Sequence, residues 1–103
     1  MINEYLYVKE TLSKAELLAQ LAEEAAELGH AALKYRRAID GTNPTPVTKQ
    51  EALSALKEEI ADVINLIGFL ELDGDHMMLE YVETGIKKTV RWANRLKEKY
   101  GEQ

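Results

Sequence analysis

The sequence predicts an all-α protein: an antiparallel helical bundle of long amphipathic helices, completed by homo-oligomerisation. Alanine, leucine, glutamate and lysine, which are all good helix formers, dominate the chain. Both prolines, Pro44 and Pro46, lie in one short stretch, so a long uninterrupted segment remains on either side. Apolar residues recur at helical spacing within these segments.

The length of 103 residues predicts one helical domain covering residues 1–103. We expect an N-terminal arm over residues 1–12 that is either a turn of helix or extended. Three helices are expected after it, at about 13–38, 48–72 and 76–100. Turn-forming residues at 40–47 and 73–75 separate them.

Local signals mark the beginnings of the first two long helices. Ser13 with Glu16, and Thr48 with Glu51, have the spacing of a capping box, in which each residue satisfies an N–H group of the first turn. Within the third long helix, Gly85 is a candidate for a kink or a break, because glycine weakens a helix interior.

The second long helix is apolar around nearly its whole circumference. Its last two turns contain Val63, Ile64, Leu66, Ile67, Phe69 and Leu70. A helix that is apolar on every side is usually buried, and a chain this short has few elements with which to surround it. We therefore expect a homodimer or a homotetramer.

Composition excludes several classes of partner and site. A net charge of −5 argues against a nucleic-acid partner, and the absence of cysteine excludes disulfides and thiolate metal sites. No apolar stretch approaches the roughly 18 residues that span a membrane, and the N-terminus lacks signal-peptide features. We expect a cytoplasmic protein with no membrane partner.

Two pairs of carboxylates lie beside the predicted core. At about 100° per residue, Glu24 falls within about 20° of Leu17 on the apolar stripe, Glu27 lies at the edge of the stripe, and Glu23 points further out. On the next helix, Glu59 and Asp62 have the same spacing and also lie among apolar residues. Either pair alone is typical of a solvated helix face.

Taken together, the two pairs indicate a metal site, because several carboxylates repel one another near a core unless a cation or protons compensate. A site made only of oxygen ligands favours Mg²⁺, with Mn²⁺ as a substitute, and Mg²⁺ usually binds substrate phosphates as well. Asn65, close to Asp62 on the same helix, is either a core polar group or a contact to the metal site or nucleotide.

Lys88, Arg91 and Arg95 share one face of the third long helix. Such a face can bind phosphate oxygens, for which the arginine side chain has a suitable geometry. The alternative is that basic residues stabilise the C-terminal end of a helix and pair with surface glutamates. Phosphate binding becomes the better interpretation beside a metal site.

The segment Glu23-Glu24-Ala25-Ala26-Glu27, followed by Glu59-Ile60-Ala61-Asp62, resembles the EExxE…ExxD signature of the MazG-like nucleotide pyrophosphohydrolases. These belong to the all-α NTP pyrophosphatase superfamily. The resemblance covers roughly residues 13 to 99, and the basic segment is similar to the family's third motif. The gap between the two acidic motifs is longer than in typical members, which leaves the sub-family open.

The resemblance implies Mg²⁺-dependent hydrolysis of a nucleoside triphosphate to the monophosphate and pyrophosphate. It implies that four carboxylates bind the metal: Glu24, Glu27, Glu59 and Asp62. Glu23 would contact these ligands and not the metal itself, and Glu24 would accept the proton of the attacking water. It also implies that Lys88, Arg91 and Arg95 hold the phosphate chain.

Two other interpretations compete with this one. The first is a non-catalytic helical oligomer that acts as a protein-interaction module. The second is a redox-active, carboxylate-bridged metal protein, suggested by Glu27 and His30 at Glu-x-x-His spacing; such sites need this motif twice, and it occurs here once.

Overall fold

The computed structural model describes residues 2–42, 47–70 and 77–101, and it confirms the all-α class. Four helices make up this part of the chain: α1 (Ile2–Thr11), α2 (Lys14–Asp40), α3 (Lys49–Leu70) and α4 (Met77–Tyr100). No strand occurs within these ranges. The helices α1, α2 and α3 form one compact unit and α4 belongs to a second. None of the described helices is both long and apolar enough to cross a membrane.

The observed helix bounds refine the expected ones. The N-terminal arm is helical, and α2 continues to Asp40, two residues past the expected end at 38. The helix α4 runs through Gly85 without a break, where Thr89 Oγ1 donates a hydrogen bond to the Gly85 carbonyl at 2.9 Å. Residues 43–46 of the proline-containing loop and the expected turn at 73–75 lie outside the described residues.

Both predicted capping boxes are confirmed. Ser13 Oγ accepts from the backbone N–H of Glu16 at 3.1 Å, and Glu16 Oε1 accepts from the N–H of Ser13 at 2.9 Å. Thr48 and Glu51 make the same reciprocal pair at 3.1 and 3.2 Å. Each box satisfies N–H groups that have no partner within the helix, and so fixes where α2 and α3 begin.

The helix α2 ends at a glycine in a left-handed conformation. Gly41 has φ 77°, which an L-residue rarely adopts, and its N–H donates to the Arg37 carbonyl. Asp40 accepts from the backbone N–H and the hydroxyl of Thr42 at 3.1 and 2.6 Å, which stabilises the exit from the helix. Gly101 has φ 70° and follows the end of α4 in the same way.

The helices α2 and α3 pack against each other in antiparallel fashion, and this pair contains the core. Leu17, Ala52 and Leu70 are the buried apolar residues of the described chain. Ile60 and Ile64 remain 40% and 64% exposed on α3. The unit formed by α1, α2 and α3 therefore leaves one apolar side of α3 uncovered.

The N-terminal helix is attached to the end of α3 by an aromatic residue. The Tyr5 ring stacks on that of Phe69, with centroids 4.6 Å apart and planes 21° apart. Tyr5 Oη also donates to the Gly68 carbonyl at 3.4 Å. This carbonyl belongs to the last described turn of α3. The contact explains why a segment of weak helical pattern is nevertheless ordered as a helix.

We predict that Ser13→Ala lowers the stability of the protein by about 1 kcal/mol, because it removes one half of the first capping box. For a domain of this size, this corresponds to a fall of roughly 4–8 °C in the thermal midpoint. Ser54→Ala, at an exposed interior position of α3, is the matched control and should leave the midpoint unchanged or slightly higher. Equal midpoints for Ser13→Ala and wild type would contradict the prediction.

Candidate functional site

Three carboxylates converge between α2 and α3. One oxygen from each of Glu24, Glu27 and Glu59 lies within 4.8 Å of the other two. Glu24 and Glu27 are three residues apart and so lie on the same side of α2, while Glu59 reaches them from the antiparallel helix. Glu24 and Glu59 are half-buried and Glu27 is exposed. We call these three residues the acidic cluster.

Two oxygens of the acidic cluster lack hydrogen-bond partners. Glu24 Oε2 and Glu59 Oε2 are both removed from solvent, and neither has a hydrogen-bond partner within the part of the chain that the structure describes. A buried acceptor without a partner is unfavourable, more so when it carries charge. Oxygen ligands suit a hard divalent cation such as Mg²⁺, and the three carboxylates could hold one. Exposed acidic residues also occur without a metal, so the two unpaired oxygens are the informative feature.

The electrostatics of the cluster favour protonation of two of its members. Repulsion from Glu24 raises the pKa of Glu27, and the charge of Glu23 adds to this effect. Burial raises the pKa of Glu59, and repulsion from Glu27, Glu24 and Asp62 raises it further. Five acidic side chains therefore act on one another at this place, and added positive charge would relieve the repulsion.

A cleft of about 200 Å³ opens beside the acidic cluster. It is lined by Gln20, Glu24, Asp62, Asn65 and Leu66. Asp62 and Asn65, both expected at the site, are therefore near it, although Asp62 is not among the three carboxylates whose oxygens lie within 4.8 Å. The structure thus brings three of the four expected ligands together and puts the fourth on the wall of the adjoining cleft.

The other expected residues have different surroundings. Glu23 is exposed, and it contributes charge to the acidic cluster without belonging to it. Lys88, Arg91 and Arg95 lie on α4, in the second unit, and all three are exposed. At about 100° per residue they occupy the side of α4 opposite its apolar stripe. That stripe consists of Leu79, Val82, Ile86, Val90 and Ala93.

Gln20 is the residue that sequence reasoning missed. Its Nε2 donates a hydrogen bond to Glu24 Oε1 at 3.2 Å, and its side chain lines the cleft. Its position four residues before Glu24, on the same side of a helix, is the signal that would have identified it. His30 is exposed and is not part of the acidic cluster.

Comparisons of the chain with models of protein families, with curated proteins and with solved structures found no match.

We predict that Glu59→Gln raises the thermal midpoint at pH 7 in the presence of EDTA. The pKa of Glu59 is raised in the folded protein. The folded state therefore binds the proton of Glu59 more tightly than the unfolded state does, and the ionised carboxylate destabilises the folded state. The penalty is present above the raised pKa and disappears as the pH falls towards the ordinary value of 4.5. The difference in thermal midpoint between Glu59→Gln and wild type should therefore shrink as the pH falls from the raised pKa towards 4.5.

The control for this prediction is Glu58→Gln, which removes a neighbouring exposed charge outside the cluster. Its midpoint should follow that of wild type more closely across the pH range. A Glu59→Gln variant that is less stable than wild type at pH 7 would show that the carboxylate does not carry an electrostatic penalty.

Proposed function

We propose that this protein is a Mg²⁺-dependent nucleoside triphosphate pyrophosphohydrolase of the MazG-like kind. The reaction converts a (d)NTP and water into the (d)NMP and pyrophosphate. The observation that carries the proposal is the acidic cluster, in which Glu24 Oε2 and Glu59 Oε2 are buried without partners. The resemblance of the two acidic motifs supplies the reaction class, and the cluster is made by those same motifs.

Glu24, Glu27 and Glu59 are the ligands that we assign to Mg²⁺, with Mn²⁺ as a substitute. Their oxygens lie close enough together to surround one cation. Asp62 lines the adjoining cleft and acts on Glu59 electrostatically, so we assign it to the same centre, where it holds the metal or a second ion. The raised pKa values of Glu27 and Glu59 support this assignment, because a cation would offset the repulsion that contributes to both.

When bound, Mg²⁺ would lower the pKa of a coordinated water and neutralise charge on the substrate phosphates. Glu24 is the residue that we assign as proton acceptor for the attacking water, because it belongs to the acidic cluster and also lines the cleft. Water adds to the α-phosphorus, the bond from that phosphorus to the bridging oxygen breaks, and pyrophosphate leaves. Asn65 lines the cleft, and we assign its amide to a hydrogen bond with the nucleotide.

We assign binding of the substrate's phosphate chain to Lys88, Arg91 and Arg95, in the same subunit or from a neighbouring one. They lie on the side of α4 away from its apolar stripe. If the stripe packs against a protein core, the basic side remains free for an anion. Arginine favours this role because its guanidinium group binds phosphate oxygens in pairs.

We also propose that the active protein is a homodimer or homotetramer. Large apolar side chains are exposed on a single chain, among them Ile64 at 64% and Ile86 at 60%. Apolar surface that is contiguous along a helix is typical of an interface between proteins. A second copy packed on α3 would cover the apolar side that α2 leaves open.

These exposed apolar faces also support the second candidate function, a non-catalytic helical oligomer that acts as a protein-interaction module. In that case the carboxylates of the acidic cluster bind no metal. The two functions differ in their response to metal, because the interaction module gains no stability from Mg²⁺.

The test of the enzyme proposal is release of pyrophosphate from a panel of NTPs and dNTPs, with Mg²⁺ and with EDTA. We predict Mg²⁺-dependent release by wild type and a loss of at least about 100-fold in Glu59→Ala, since even the partners of metal ligands contribute factors of 10 to 100. Glu58→Ala, an exposed neighbour, is the matched control and should retain activity. No release from any nucleotide, together with no stabilisation by Mg²⁺, would favour the interaction module.

The oligomer is tested by sedimentation of wild type and Ile64→Lys. We predict that wild type sediments as a dimer or tetramer and that the variant shifts towards monomer, because burying an unpaired lysine at an interface is costly. Ser54→Lys introduces the same charge at an exposed position on another side of α3 and should leave the assembly unchanged. A wild-type monomer at micromolar concentration would contradict the proposal.

A further inference from the structure

We propose that Gln20 is a positioning residue for the metal centre and that it acts through Glu24. Its Nε2 donates a hydrogen bond to Glu24 Oε1 at 3.2 Å from one turn earlier on α2. Gln20 also lines the cleft that adjoins the acidic cluster. The inference rests on the proposed metal centre and assigns to it a residue outside both acidic motifs.

The two oxygens of Glu24 have different surroundings. Oε1 accepts from Gln20, whereas Oε2 is buried and has no partner. One oxygen is therefore held in place by the protein, and the other remains available to a cation. Orientation of a ligand by a hydrogen bond to its second polar atom is a general feature of metal sites.

Glu24 needs such a restraint because its neighbours repel it. Glu24 and Glu27 interact unfavourably, as the raised pKa of Glu27 indicates, and Glu59 is close to both. Without a partner on Oε1, the Glu24 side chain would gain entropy and relieve repulsion by turning towards solvent. The hydrogen bond from Gln20 opposes this rotation.

A neutral amide suits this task better than a charged donor. A lysine or arginine at position 20 would also hold Glu24, but its positive charge would offset the carboxylate and lower the attraction for a divalent cation. The amide donates one hydrogen bond and leaves the negative charge of the cluster intact. Gln20 therefore orders the ligand without weakening the electrostatic basis of metal binding.

The experiment measures the affinity of the nucleotide-free protein for Mn²⁺, by calorimetry and by electron paramagnetic resonance of the unbound ion. Gln20→Met removes the donor while keeping a straight side chain and a good helix former. We expect Mn²⁺ to bind about tenfold more weakly, the effect typical of losing a residue that orients a ligand. Gln50→Met, in the exposed first turn of α3, is the matched control and should bind like wild type.

A double-mutant cycle separates positioning through Glu24 from a general structural role. In the Glu24→Ala background, Gln20→Met should have no further effect on Mn²⁺ affinity, because the carboxylate that it orients is gone. If Gln20→Met lowered the affinity for Mn²⁺ by the same factor in wild type and in Glu24→Ala, the inference would be overturned. Circular dichroism in EDTA checks that all the variants are folded.

The possible failures are distinguishable. If wild type binds Mn²⁺ and Gln20→Met binds it within about threefold of wild type, well below the factor of 10 expected, only the role of Gln20 is overturned. If wild type binds no Mn²⁺ at millimolar concentration, the metal centre itself is overturned, and the role of Gln20 falls with it.

Discussion

Repulsion among the carboxylates held between α2 and α3 is the constraint on which the rest of the site depends. The capped, antiparallel helix pair places Glu24, Glu27 and Glu59 within 4.8 Å of one another. Raised pKa values and two unpaired oxygens are the direct consequences of this placement. Such an arrangement is unfavourable in isolation, and carboxyl groups with perturbed pKa values are concentrated at functional sites. The negative charges that repel one another would attract the proposed cation.

Much of the fold could be predicted from the sequence because its determinants are local. A capping box involves residues three positions apart, so Ser13 and Thr48 identified the starts of α2 and α3 without any tertiary information. Helical periodicity likewise placed Glu24 and Glu59 among apolar residues, and both are half-buried in the structure.

Other features depend on contacts between distant segments and could not be predicted in the same way. The helix α1 contacts α3 through the stacking of Tyr5 on Phe69, which no local pattern reveals. Whether Asp62 joins the acidic cluster or lines the cleft depends on the rotation of α3 against α2, which side-chain packing determines. Apolar periodicity identifies the side of α3 that would pack against another element, but it does not identify that element. Ile64, on this side, is exposed in the structure.

The attachment of α1 has a consequence for how the protein opens. Tyr5 and the Gly68 carbonyl are 63 residues apart in sequence, so their contact closes a long stretch of chain and has little local support. A segment held in this way is expected to detach before α2 and α3 separate, as a sub-global opening with rapid amide exchange. Proteolysis near the N-terminus would then release α1 and expose the last turn of α3, while the helix pair with its carboxylates stays assembled.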